Sequence, residues 1–154
     1  MSDEKLNETA LKKAMALCAA RENCTKDIRY KLSEWGVDDT GAEKIIEQLI
    51  RDNFLSDSRY AKAFTSDRFK HNKWGKIKIA SQLRIKGISE NIVASALEEI
   101  NDEEYMDMIR EIITTHSRFI KAKSKFDLKG KLLRFGLSKG IESHLLYDLL
   151  NEWE

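Results

Sequence analysis

The side chains most able to do chemistry in this 154-residue chain are cations, and they are grouped. Residues 59–86 carry Arg59, Lys62, Arg68, Lys70, Lys73, Lys76, Lys78, Arg84 and Lys86 against one carboxylate, Asp67, for a net +8. Residues 118–134 carry Arg118, Lys121, Lys123, Lys125, Lys129, Lys131 and Arg134 against Asp127, for a net +6. The rest of the chain holds 11 basic and 24 acidic residues, so an overall formal charge of +1 conceals strong segregation. Runs of this kind bind polyanions or an acidic protein surface. The bland alternative is a solvated face balanced by Glu and Asp that folding brings near. Tyr60, Phe64, Phe69 and Trp74 are interleaved with the first run. Tyr60 and Phe64, four apart, are expected in the core. Trp74 is the best candidate for an exposed aromatic contact, with packing at a seam between structural units as the alternative.

Residues for turnover are missing. His71, His116 and His144 are widely separated, and His116 falls on an apolar helical stripe where a packed imidazole is expected. There is no Gly-x-Ser-x-Gly elbow and no His-Glu-x-x-His. Gly75-Lys76 and Gly130-Lys131 are not phosphate loops: Lys70 and Lys125 stand five residues upstream of the glycines, and no Ser or Thr follows either lysine. Asp38-Asp39 and Asp102-Glu103-Glu104 fall where helices should begin, and the helix dipole accounts for them. Cys18 and Cys24 form no metal or redox spacing and are expected to be small packed thiols. The sequence predicts no enzyme, no metal and no cofactor. No apolar run approaches the ~20 residues of a membrane span. The polar start Met1-Ser2-Asp3-Glu4-Lys5 lacks a secretory pattern, so a reduced, cytoplasmic protein is expected.

The elements that must position these cations are helices. Proline is absent, glycines number 7, charged residues make up 34% and hydrophobic ones 42%, which suits helices with one apolar stripe and long solvated faces. Stripes recur at Ala10, Leu11, Ala14, Met15 and Cys18, at Tyr105, Met108, Ile109, Ile112, Ile113 and His116, and at Ile141, Leu145, Leu146, Leu149, Leu150 and Trp153. An internal repeat is anchored on Gly36, Gly87 and Gly136. Eight residues before each lies Ile28, Ile79 or Leu128; four before lies Leu32, Leu83 or Leu132; one after lies Val37, Ile88 or Leu137. Ten after come Ile46, Leu97 and Leu146, and thirteen after come Leu49, Ile100 and Leu149. Each glycine is expected to cap a helix, with the next apolar residue tucked into the core. Asp38 or Asp39, Ser89 and Ser138 would then cap the following helix. A longer helix precedes each pair, near residues 8–20, 56–71 and 103–121. The prediction is an all-α chain of three tandem three-helix repeats, 1–52, 53–101 and 102–154, in an elongated, curved row. Such an architecture with a polar start requires no oligomer, and a monomer is expected.

Helix, glycine turn and capped helix resemble a helix-turn-helix, whose second helix would enter the major groove. Residues 90–100 hold Glu90, Glu98 and Glu99 and no cation, so phosphates would repel that helix. Contact with a nucleic-acid backbone, or with a protein–nucleic-acid assembly, fits better.

The motifs resemble one family. Leu55-Ser56-Asp57-Ser58-Arg59-Tyr60-Ala61 resembles the opening of its second repeat, and Arg68, Gly75, Ile79, Leu83 and Lys86-Gly87-Ile88 resemble the continuation. Ala19-Ala20-Arg21-Glu22 with Ile28, Lys31, Leu32 and Gly36 is similar to the first repeat, and Lys131-Leu132-Leu133-Arg134-Phe135-Gly136-Leu137 to the third. The family is RecX, bacterial regulatory proteins that modulate the RecA recombinase. This chain departs from it with Lys76 where proline is frequent and with Lys where Arg is common; Lys lacks the bidentate fork. The resemblance implies a non-catalytic partner of the RecA filament on DNA, lying in its helical groove, inhibiting ATP hydrolysis and strand exchange, and acting in recombination, DNA repair and the SOS response. The partner-facing or DNA-facing residues expected on clustering and motif position are Arg59, Arg68, Lys73, Lys76, Lys78, Arg84, Lys86, Lys123, Lys125, Lys129, Lys131 and Arg134. Two other readings compete: a DNA-binding module acting without a recombinase, and a helical adaptor whose cations are merely solvated. Reversing the charges of Lys76, Lys78 and Lys86 is expected to weaken filament inhibition with helix content intact by circular dichroism; undiminished inhibition would reject the assignment.

Overall fold

In the computed structural model of the protein, which describes residues 3–153, the regular structure is helical throughout, with no strand among the described residues. Met1 and Ser2 of the polar start, and Glu154 at the outer end of the third expected repeat, lie outside the described residues. The helices are α1 (Asp3–Ala20), α2 (Thr25–Glu34), α3 (Asp39–Arg51), α4 (Asp57–Asn72), α5 (Lys76–Ile85), α6 (Glu90–Glu98), α7 (Asp102–Ser117), α8 (Lys125–Ser138) and α9 (Ser143–Asn151). Helix α1 starts five residues earlier than its stripe suggested. Helix α7 ends at Ser117, so residues 118–124 form a connection instead of a last helical turn.

The chain forms two compact bodies. The first takes residues up to Ala63 together with Leu83–Val93; the second takes Phe64–Gln82 and residues from Ala94 onward. In the first body Ala10, Ala14 and Cys18 of α1 bury against Ile28 and Leu32 of α2 and Ala42, Ile45, Ile46 and Leu49 of α3. Cys18 and Cys24 are free and buried, and burial pushes both thiols up, Cys24 to about 11, as expected of packed, unreactive cysteines. In the second body the buried face of α7 is Tyr105, Met108, Ile109, Ile112 and Ile113, joined by Leu132 of α8 and Leu146, Leu149 and Leu150 of α9.

Helix starts follow local polar chemistry. The Asp38 carboxylate accepts from Gly41 N at 2.8 Å, Asn101 from Glu104 N at 2.9 Å and Ser124 from Asp127 N at 3.1 Å. Asp102, Glu103 and Glu104 occupy the first turn of α7, where the dipole favours them.

The helix-ending turn forms at three glycines among the described residues, and at Asn53 (φ +62°) with the same pair of bonds, but the third glycine is not the one the apolar spacing selected. At Gly36 and Gly87 the glycine N–H donates three residues back and the following N–H donates five back (Val37 N to Leu32 O, Ile88 N to Leu83 O). The same pair of bonds forms at Gly140: Gly140 N to Leu137 O and Ile141 N to Gly136 O. The three glycines have φ of +84°, +76° and +83°. Gly136 lies inside α8, four residues early, and faces Leu146. Two expectations fall with that register. Leu137 is 45% exposed, and Ile141 is the fully buried residue in its place. Ser138 closes α8, its hydroxyl donating to Phe135 O, and caps nothing. A slip of four residues preserves an i, i+4 apolar pattern, so periodicity could not separate the two registers. Ile141→Ala is expected to cost about 2–5 kcal/mol and Leu137→Ala under about 1 kcal/mol in denaturant unfolding; equal costs would contradict the register.

Candidate functional site

The first basic run is divided between the two bodies, and the two parts differ in chemistry. In the first body Arg59, Arg84 and Lys86 are paired with carboxylates from outside the run. Arg59 meets Glu22 at 2.9 Å and donates to Asn53 O; Arg84 grips Glu90 through Nε and Nη2 at 2.7 and 3.2 Å; Lys86 donates to both oxygens of Asp27 at 3.2 Å. The hydrogen bonds to Glu90 and Asp27 raise the affinity of Arg84 and Lys86 for their protons. Sequence counting missed these pairs because Glu22, Asp27 and Glu90 lie beyond the ends of the run.

In the second body the cations converge on a backbone crossing. Gly75 N donates to Lys139 O at 2.6 Å, and Ile77 N donates to Gly140 O at 2.9 Å. These carbonyls, with the Tyr105 hydroxyl accepting from Lys76 N at 2.9 Å, satisfy the amides at the start of α5, where no Ser, Thr, Asn or Asp is available as a cap. Tyr105 in turn donates to Glu142, and burial followed by that carboxylate drives the phenol pKa up. The approach is possible only without side chains. A Cβ on Gly75 would stand 2.3 Å from Gly140 O, and one on Gly140 would stand 2.5 Å from Lys78 N.

Because the crossing joins Lys73-Trp74-Gly75-Lys76 to Lys139-Gly140, it gathers their side chains. Trp74 is partly buried, edge-on to Phe64 at 6.2 Å, with the Arg68 guanidinium 5.3 Å and the Lys78 ammonium 4.6 Å from its ring centroid. Arg68 also covers Phe64 at 4.9 Å. The indole is therefore a platform that holds cations, not a bare contact surface. Arg68 Nε is buried without a partner, although its Nη1 reaches Asn72 at 3.2 Å and Asp67 at 3.7 Å. Lys139, whose Nζ donates to Asn72 O at 2.9 Å, has its pKa lowered by burial first and then by Lys78 and Lys73. Lys73 is 3.8 Å from Glu111, and Lys76 is 3.8 Å from Asp102 and lies over the Tyr105 ring. Lys139 belongs to neither basic run and was missed from sequence. The signal was the glycine beside it: a helix-ending Gly140 puts its predecessor at a turn.

The second basic run lies wholly in the second body. Lys131 reaches Asp127 at 3.3 Å and donates to Lys121 O, and Lys123 N donates to Asp127. That backbone N–H, then Lys131 and Arg134, hold the Asp127 carboxyl below its usual range. Lys125 and Lys129 take part in no ion pair among the described residues. His116 is packed as expected, stacked on Phe135 at 3.7 Å. Among the described residues no group of three His, Cys, Asp or Glu could hold a metal, and no helix is long and apolar enough to cross a membrane.

Comparison with known proteins places this geometry in context. Residues 56–97 match the family model of RecX, second three-helix domain. Regulatory protein RecX of Clostridium perfringens (strain 13 / Type A) is 35% identical over 128 residues, which are 82% of this chain and 58% of that protein. The protein of the same name from Clostridium acetobutylicum is 33% identical over 131 residues, 82% of this chain and 60% of that one. The chain thus spans less than two thirds of the length of these curated relatives. The crystal structure of RecX from Lactobacillus salivarius superposes with a TM-score of 0.88, covering 97% of both chains at 19% identity, a likeness of fold.

Two outcomes test the site. The folded state disfavours protonated Lys139, so the unfolded chain binds more protons and this group makes stability rise as pH climbs toward its ordinary 10.5. Nζ titration by NMR is expected to show Lys139 losing its proton below the ordinary lysine value of 10.5, and Lys78→Gln to move it back up; no response would contradict the clustering. Gly140→Ala is expected to destabilise well beyond the ~1–2 kcal/mol of a left-handed alanine, and Gly87→Ala, whose nearest neighbour would be the Lys26 side chain at 3.5 Å, by about that amount.

Proposed function

As the chain belongs to the RecX family, we propose that it is a non-catalytic regulator that docks on the RecA–DNA filament and inhibits its ATPase and strand exchange. The observation that carries this is the cationic cluster of Arg68, Lys73, Lys78 and Lys139 at the Gly75–Gly140 crossing. Lys78 and Lys73 stand close enough to add to the effect of burial in lowering the proton affinity of Lys139, and a polyanionic or acidic partner relieves that repulsion. Lys125, Lys129 and Arg134 extend the contact, while Arg59, Arg84 and Lys86, with their partners Glu22, Glu90 and Asp27, serve mainly to fix local structure. Lys76 and Lys131 lie between these roles, each side chain tied to a nearby carboxylate, while Lys123 is held through its backbone N–H to Asp127.

Three consecutive three-helix repeats, 1–52, 53–101 and 102–154, suit such docking. Several weak contacts on one chain engage neighbouring protomers together, and avidity replaces individual affinity. A monomer acting in the cytoplasm, in recombination and DNA repair, needs no cofactor for this work.

The ion pairs refine the charge-reversal test. Lys86→Glu would set a carboxylate against Asp27, and Lys76→Glu one against Asp102, so both variants perturb the fold as well as the surface. Lys78→Glu with Lys139→Glu removes two cations for which no carboxylate partner is present among the described residues. The double variant is expected to need at least about tenfold more protein for half-inhibition of RecA ATPase on single-stranded DNA, equivalent to ~1.4 kcal/mol of docking energy. Undiminished inhibition with unchanged circular dichroism would overturn the proposal.

A further inference from the structure

Phe119 is 81% exposed and Phe126 is 89% exposed, the two most exposed large hydrophobic side chains among the described residues. Phe119 lies in the connection between α7 and α8 and Phe126 in the first turn of α8, and the same stretch of chain carries Arg118, Lys121, Lys123 and Lys125. Exposed aromatic rings usually carry a cost in water, and two in a cationic strand of nine residues ask for a ligand that is aromatic and anionic at once. The connection is held in place for presentation. Lys131 Nζ donates to Lys121 O at 2.7 Å, Lys123 N donates to Asp127 at 3.0 Å, Ser124 caps α8, and Phe119 N donates to His116 O at 3.0 Å. Phe119 also borders a cleft of about 220 Å³ in the second body, lined by Lys73, Glu111, Thr115, His116 and Phe135. The cleft offers a stacked His116–Phe135 pair as an aromatic wall, and Thr115, Glu111 and Lys73 as a polar rim. Lys73 belongs as well to the cationic cluster at the crossing, so the cleft and the cluster share a residue.

We propose that this surface binds single-stranded DNA directly: an unpaired base enters the cleft beside Phe119, a neighbouring base stacks on Phe126, and the phosphates run over Arg118, Lys121 and Lys125. Every base has a π-face, so the recognition is of strandedness and not of sequence; a duplex, with its bases already stacked, cannot supply them. Glu111 does not oppose this, because it sits 3.8 Å from Lys73 and can accept from an N–H on a base edge, thymine N3–H included. The choice of DNA as the strand rests on the role proposed above; the stacking does not.

The test uses the full chain without recombinase and fluorescence anisotropy with labelled oligothymidylate, the same strand made abasic, and a duplex of equal length. The intact strand is expected to bind more tightly than either comparator. Phe119→Ala is expected to weaken binding to it about 5- to 150-fold while leaving the abasic strand unaffected, and Phe119→Trp to restore it. Lys121→Gln and Lys125→Gln are each expected to lower the slope of log affinity against log salt by about 0.7, and Phe119→Ala to leave that slope unchanged. Equal affinity for intact and abasic strands, or no effect of Phe119→Ala and Phe126→Ala, would overturn the inference. Phe119→Ala weakening inhibition of the RecA filament without changing strand binding would overturn it too, assigning the surface to protein, and would leave the filament proposal standing. Loss of inhibition in the Lys78/Lys139 variant is read separately and bears on the filament proposal alone.

Discussion

The second body depends on a contact between two backbones. Helix α5 begins without a capping side chain, and its first amides are satisfied by Lys139 O, Gly140 O and the Tyr105 hydroxyl. A buried, unpaired amide costs about 1–3 kcal/mol, so three such donors make this start a constraint and not a convenience. The carbonyls can reach only because Gly75 and Gly140 lack side chains at the point of closest approach. One helix start, one helix end and the hydroxyl of a third helix are thereby locked to each other.

That lock also explains the electrostatics. Lysines repel one another and would spread apart on a free surface. Here Lys73, Lys78 and Lys139 are delivered by short segments whose backbones cannot separate, and Trp74 supplies a ring on which Arg68 and Lys78 can rest. The fold therefore keeps positive charge where it is unfavourable for the isolated protein, as expected of a surface kept for a partner. The cations of the first body are held more closely: each of Arg59, Arg84 and Lys86 has a carboxylate within 3.2 Å, against 3.7 and 3.8 Å for Arg68 and Lys73 at the crossing, where Lys78 and Lys139 have none among the described residues. Such exposed pairs contribute little stability, typically under about 1 kcal/mol, and orient side chains more than they bind.

What was legible in the sequence divides along the same physical line. Local chemistry was readable: the helical stripes, the left-handed turns at Gly36 and Gly87, Asp38 as a cap, the acidic first turn of α7, and the packing of His116 and both cysteines. Each of these depends on residues within one or two turns of each other. The third glycine turn was misplaced because Gly136 and Gly140 offer equivalent apolar registers one helical turn apart, and the choice is made by Gly75, some 65 residues away in sequence. Lys139 escaped notice for the same reason, and so did the neutralisation of Arg59 and Lys86 by Glu22 and Asp27. Charge counted along a chain ignores partners that only tertiary structure supplies. Phe119 and Phe126 fall within the second run, but their exposure is not legible there, since it cannot be told from periodicity once a helix ends at Ser117.

The central claim is that the crossing presents its cations to a partner while the paired cations of the first body do not dock. Amide hydrogen exchange by mass spectrometry, with the protein free and bound to RecA filaments on single-stranded DNA, tests it most directly. The account predicts slowed exchange in peptides covering residues 72–79 and 118–126, and none across 84–90. Protection across 84–90 with residues 72–79 unaffected would contradict it.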